Sequence, residues 1–202
     1  MTIKKHDPGT LPPEKIPGDK RPASASVALV AFAGFSNSGK TTVLEKLIRE
    51  MTLRGLRVGT IKHDVHGFEM DRPGKDTWRH KQAGASATII SSPRQIGMVK
   101  DVDHDHDPLE LAQLLPGMDL ILLEGYKRAD IPKIEIYRSG VSKNRCCVND
   151  PNLMAVVSDI EQDNGVPCFG HNDISAIADF LIFKLSLTIP PAHKQSQELC
   201  GT

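Results

Sequence analysis

Gly34-Phe35-Ser36-Asn37-Ser38-Gly39-Lys40-Thr41 reads G-x-x-x-x-G-K-T, the pattern of a loop that cradles phosphates. Upstream, Val27-Ala28-Leu29-Val30-Ala31-Phe32-Ala33 is a short apolar run of the kind that forms a buried strand. Downstream, Val43, Leu44, Leu47, Ile48 and Met51 recur at helical spacing. Strand, glycine loop and helix in that order predict an α/β fold. It should have three layers, a mostly parallel central sheet and a short antiparallel extension.

Residue types give the loop its chemistry. Gly34 and Gly39 permit backbone angles that side chains forbid, so successive N–H groups can turn inward. The following helix N-terminus adds partial positive charge at the same place. Lys40 brings a full charge to the β- and γ-phosphates, and Thr41 offers a hydroxyl to Mg²⁺. Asn37, Ser38 and Thr42 complete the candidate nucleotide-binding set from this segment.

Working outward, Leu56 to Asp64 reads as a second strand whose carboxyl end carries Lys62, His63 and Asp64. Ligands of doubly wound sheets sit beyond the carboxyl ends of strands. That puts Lys62 and His63 with the nucleotide set and Asp64 with the metal set; a strand running out into a solvated turn is the plain alternative. A long polar connection, Val65 to Asp76, follows with a Pro73-Gly74 turn. Asp76 reads as the N-cap of a helix from Thr77 to Ala83. Ala87–Ser92 and Gln95–Lys100 read as an antiparallel pair. Asp101–Asp107 alternates acids and histidines; a solvated loop is the reading preferred to a metal site.

Asp119-Leu120-Ile121-Leu122-Leu123-Glu124-Gly125 is an apolar strand ending in an acid, the Walker B type of arrangement. The strand exit faces the phosphates, so Glu124 is the candidate catalytic acid together with Lys40, and a metal-site member with Thr41. Asp119, at the entry, reads as structural. Lys133–Arg138 alternates charged and apolar residues, like a half-exposed strand. Leu153–Asp159 is a further strand. Asp159 reads either as an acceptor for the N1 and N2 protons of guanine or as a plain strand-end cap. A last helix runs from Ile174 to Leu185.

Composition narrows the function classes. A formal net charge of +0 and 4% aromatic residues argue against nucleic-acid binding and a base-stacking platform. No apolar run approaches the length of a membrane span, and the N-terminus lacks a signal-peptide core, so a cytoplasmic location is expected. Cys146, Cys147, Cys168 and Cys200 form no C-x-x-C and no zinc spacing, and read as reduced thiols. Residues 1–25, rich in proline, read as a disordered tail; 26–187 as one domain; 188–202 as a flexible tail.

The P-loop, Thr60-Ile61-Lys62-His63, Asp71-Arg72-Pro73-Gly74-Lys75-Asp76, Ala83-Gly84-Ala85, Asp119–Gly125 with Tyr126-Lys127, and Val157-Ser158-Asp159 occur in one order. In that order the chain resembles the MobB family, adapter proteins of molybdopterin-guanine dinucleotide biosynthesis. The resemblance covers about residues 27 to 186. It implies a P-loop NTPase fold of the SIMIBI type, GTP and Mg²⁺ as ligands, weak hydrolysis and a homodimer. It also implies a MobA-type nucleotidyltransferase and molybdoenzymes as partners. Pairing of Gln95–Lys100 and of a Lys133–Arg138 edge across subunits would bury exposed sheet edges. The sequence lacks an Asn-Lys-x-Asp box, so the guanine preference rests on the resemblance. Two alternatives remain at this point. One is a metallochaperone GTPase, which needs a Cys/His metal site. The other is a P-loop small-molecule kinase, with Arg72, Lys75 and Arg79 forming a lid.

Overall fold

The structure is a computed structural model and describes residues 27–161 and 165–190. The expected N-terminal tail, and the expected C-terminal tail from residue 191 on, lie outside the described residues.

Strand β1 (Ala28–Ala33) leads through the glycine loop into helix α1 (Lys40–Leu53). The helix stops by geometry that its sequence dictates. Gly55 N donates to Thr52 O (2.9 Å), Leu56 N to Met51 O (3.1 Å), and Gly55 takes φ 88°, a left-handed angle natural to glycine. Then come β2 (Val58–Lys62), α2 (Asp76–Gln82), β3 (Ala87–Ser91), β4 (Ile96–Lys100) and α3 (Pro108–Ala112). Asp76 is the first helical residue of α2, not its cap; Lys75 caps without a side-chain bond. An acid in the first turn still favours the helix through its dipole. At α3, Asp107 accepts from Leu109 N (2.8 Å), and Glu110 Oε2 accepts from Asp107 N (3.2 Å), a capping box. The chain continues through β5 (Leu120–Glu124), β6 (Lys133–Ile136), β7 (Leu153–Val157), β8 (Cys168–Phe169) and α4 (Ile174–Lys184).

The main sheet has six strands in the order β2-β5-β1-β6-β7-β8, all parallel, and β3–β4 form a separate antiparallel pair. Alternation along β1 sorts its two faces. Val30 and Phe32 join Leu44, Leu47, Ile177 and Leu181 under α1 and α4. Leu29 and Ala31 join Ile121, Leu123 and Ala112 on the α3 side. The sheet is thus covered on both faces, as parallel sheets are.

β6 corrects the sequence reading. It is hydrogen-bonded to β1 on one side and β7 on the other, so it is neither half-exposed nor an edge. Lys133 and Glu135 are each 1% exposed. Charge alternation signals solvent only when the charges stay solvated. Here Lys133 Nζ reaches Asp150 Oδ2 (2.6 Å) and Ala129 O (2.9 Å), and Arg145 Nε reaches Glu135 Oε2 (2.9 Å). Asp150 and Arg145 lie in the connection from β6 to β7, which covers that face. Cross-subunit pairing through Lys133–Arg138 is therefore ruled out.

Candidate functional site

The glycine loop closes over the carboxyl end of β1, where the chain turns left to β2 and β5 and right to β6, β7 and β8. That is the switch point at which such sheets bind ligands. Gly34 is required by crowding: a Cβ there would lie 2.4 Å from Ile136 O. Asn37 and Gly39 take φ 63° and 95°, left-handed angles that bend the loop and place Gly39 as the cap of α1. Ser38 is 2% exposed, and its Oγ has no hydrogen-bond partner among the described residues.

Lys40 folds back over the loop, donating to Gly34 O (3.0 Å) and Phe35 O (2.8 Å). Burial lowers its pKa, while Glu124 and Cys146 act the other way and Lys62 adds to the lowering. A cation held over neutral carbonyls exchanges them readily for a charged ligand. Thr41 Oγ1 donates to Glu124 Oε1 (2.9 Å), joining the start of α1 to the end of β5. His63 N donates to Glu124 O (3.0 Å), and Gly125 N to Phe32 O (3.1 Å), which locks β2, β5 and β1 at this end. The His63 ring stacks on Tyr126, centroids 4.7 Å apart, and its Nε2 meets Asp105 Oδ2 at 2.9 Å. Asp64 Oδ1 accepts from His66 N (3.0 Å).

Lys40, Thr41, His63, Asp64 and Glu124 line a cavity of about 660 Å³. The volume suits a mid-sized ligand. Asn37, Gly39, Lys40, Thr41, Thr42, Lys62, His63, Asp64 and Glu124 all reach it, together with Ser36, Val65, His66 and Arg138. Gly34 and Ser38 form the frame behind. The donors fit a phosphate chain: an ammonium, a loop with left-handed turns at a helix start, and further cations from Lys62 and Arg138. The linked hydroxyl and carboxylate of Thr41 and Glu124 are hard oxygen ligands that suit Mg²⁺.

The profile of the family described as MobB, Molybdopterin guanine dinucleotide synthesis protein B, matches residues 29–159. The chain belongs to the MobB family. The molybdopterin-guanine dinucleotide biosynthesis adapter protein of Escherichia coli (strain K12) is 38% identical over 77% of this chain and 92% of its own length. The protein of that name in Haemophilus influenzae is 36% identical over 77% of this chain and 88% of its own length. The crystal structure of Bacillus subtilis MobB superposes with a TM-score of 0.64 at 30% identity, covering 78% of this chain and 98% of that one.

The MobB match ends at Asp159, which sits outside the main cavity. It faces a second, open one of about 480 Å³ with Ser158, Glu161, Cys168 and Gly170. Asp159 Oδ1 accepts from Ser139 N and Oδ2 from Ser139 Oγ, both at 2.9 Å. The Ser139 backbone bond leads in holding its carboxyl below the usual range. Ser139 follows Arg138, so neighbouring residues serve the two cavities. Asp119 accepts from Arg57 N (2.7 Å) at the far end of β5, the structural role expected of it. Arg72, Lys75 and Arg79, the residues of the kinase-lid reading, do not line the main cavity.

Sequence reasoning missed Ser36, Val65 and His66, which neighbour proposed residues, and two groups from elsewhere in the chain. Arg138 stands beside the loop, 3.4 Å from where a Gly39 Cβ would be. His171 Nε2 lies 3.4 Å from Ser38 O. Reading β6 as a central strand would have exposed Arg138, since its carboxyl end must then meet the P-loop. His171 comes from 133 residues away and carries no local signal.

Proposed function

We propose that this chain is a GTP-binding adapter of molybdopterin guanine dinucleotide biosynthesis that assists a MobA-type nucleotidyltransferase. The carrying observation is the convergence of Lys40, Thr41, Glu124, Lys62 and Arg138 on one cavity in a MobB-family chain. In this reading the loop N–H groups, Lys40 and Arg138 hold the phosphates. Thr41 and Glu124 hold Mg²⁺, with Asp64 at the rim. Bound Mg²⁺ would neutralise phosphate charge. Asp159 reads the guanine edge; its two oxygens can accept bonds beyond those from Ser139. Hydrolysis is slow because Glu124 is tied to Thr41 and orients the metal position rather than acting as a free base.

The adapter works as a homodimer in the cytoplasm. Ile89, Ile96 and Met98 share one face of the β3–β4 pair and are 64%, 75% and 44% exposed, a patch that a second copy would cover. Among the described residues no helix is long and apolar enough to cross a membrane. The names of the relatives support the pathway. The test is co-elution of the purified chain with a purified MobA-type nucleotidyltransferase, with and without GTP. A GTP-strengthened complex is expected. Independent elution under both conditions refutes the adapter assignment.

A further inference from the structure

The acid–histidine loop between β4 and α3 has two histidines that the nucleotide reading does not use. We propose that His104, His106 and Glu110 form a binding site for a divalent transition-metal ion of the Zn²⁺, Co²⁺ and Ni²⁺ class, separate from the Mg²⁺ position beside Thr41. One ligand atom from each of the three residues lies within 4.8 Å of the others. Glu110 Oε2 is 3.0 Å from His106 Nδ1 and 3.9 Å from His104 Nε2. Around a tetrahedral ion with bonds of about 2.0–2.1 Å, ligand atoms lie about 3.3 Å apart. The two spacings to Glu110 bracket that value, and rotamer adjustment of the two histidines would close the site.

The supporting contacts are those a metal site uses. His104 Nδ1 meets Asp103 Oδ1 at 2.7 Å. With Nδ1 engaged by Asp103, the ligand atom of His104 is Nε2, on the Glu110 side. Metal-binding histidines are oriented by such carboxylates. The capping box fixes Glu110 on the first turn of α3, and His106 directly precedes its cap residue Asp107. The rings of His104 and His106 are in edge contact, centroids 4.2 Å apart. Two imidazoles and a carboxylate match the ligand preference of these ions, and three protein ligands leave a position for water or a further group. Asp105, between the two histidines, binds His63 at the nucleotide cavity. A second three-residue cluster among the described residues, Glu135 with Cys146 and Cys147, is weaker because Arg145 and Cys146 N already engage Glu135.

The test is calorimetric titration of the untagged, metal-free full chain with Zn²⁺ in the absence of nucleotide, paired with Co²⁺ absorption. One equivalent should bind per chain, and Co²⁺ should give the intense visible band of tetrahedral coordination. His104→Ala and His106→Ala should each weaken binding about tenfold or more, and Asp103→Asn about tenfold, with far-UV circular dichroism unchanged. His80→Ala, on exposed helix α2, should bind as wild type. Absence of binding and of the Co²⁺ band at millimolar metal would overturn the proposal. So would full affinity in the His104→Ala/His106→Ala protein, or loss of binding on Cys146→Ser/Cys147→Ser instead. Because no nucleotide is present, these outcomes are independent of the GTP reading.

Discussion

Lys133→Met tests the buried charge pair that makes β6 a central strand. The Lys133 side chain is 2% exposed and that of Asp150 18%. Methionine keeps much of the volume but removes the ammonium, its bond to Asp150 and its bond to Ala129 O. Breaking a buried pair from one side costs about 3–5 kcal/mol. Asp150 retains the bond from Asn152 N (2.9 Å) and some contact with water, which sets the expected loss at about 3 kcal/mol. For a chain of this size that lowers Tm by about 6–12 °C. Lys133→Met/Asp150→Asn removes both charges and should recover about half of the loss. Acid dependence adds a second readout. Burial pushes the Asp150 carboxyl up, but the bonds from Lys133 and Asn152 outweigh it and leave the pKa lowered. A lowered folded pKa contributes stability above the unfolded value, about 3.9, and loses it as pH falls through the folded value. The acid limb of stability should therefore flatten in Lys133→Met. Urea unfolding with linear extrapolation measures both effects. A loss under about 1 kcal/mol, the size of an exposed pair, would refute the reasoning.

Glu124→Gln should keep most GTP affinity and lower the already slow hydrolysis; wild-type turnover in a steady-state phosphate-release assay would remove Glu124 from the metal-linked role. Arg138→Ala should weaken GTP more than GDP, because its charge reaches the phosphate side of the cavity; equal effects on both nucleotides would count against a γ-phosphate contact. Asp159→Asn presents a donor to guanine's own donors and should narrow the preference for GTP over ATP in competition binding. An unchanged ratio would return Asp159 to the role of a strand-end cap held by Ser139.

The frame of the fold was legible because its signals are local. The glycine loop, the 3.6-residue periodicity of α1 and the apolar runs of β1, β5 and β7 each declare themselves within a dozen residues. The hairpin of β3 and β4 was legible for the same reason. β6 was misread because Lys133 and Glu135 look solvated until Asp150 and Arg145 are brought over them. Nine proposed residues were found on one cavity because they end strands or start a helix at the carboxyl side of one parallel sheet. Arg138 and His171 escaped because their place depends on strand order and on a contact across most of the chain. The metal-like geometry of His104, His106 and Glu110 was equally hidden. The alternation of acids and histidines gives donors, but their convergence depends on the capping box of α3.

The central claim is that GTP is held at this P-loop. Calorimetric titration with GTP and Mg²⁺, on wild type and on a folded Lys40→Ala variant, tests it most directly. Lys40 is the charge poised over Gly34 O and Phe35 O, and a charge-assisted bond to phosphate is worth about 2 kcal/mol or more. The account predicts one GTP per chain and a loss of about thirtyfold or more in the variant. Equal affinity in the two proteins, or no binding to either, would contradict it.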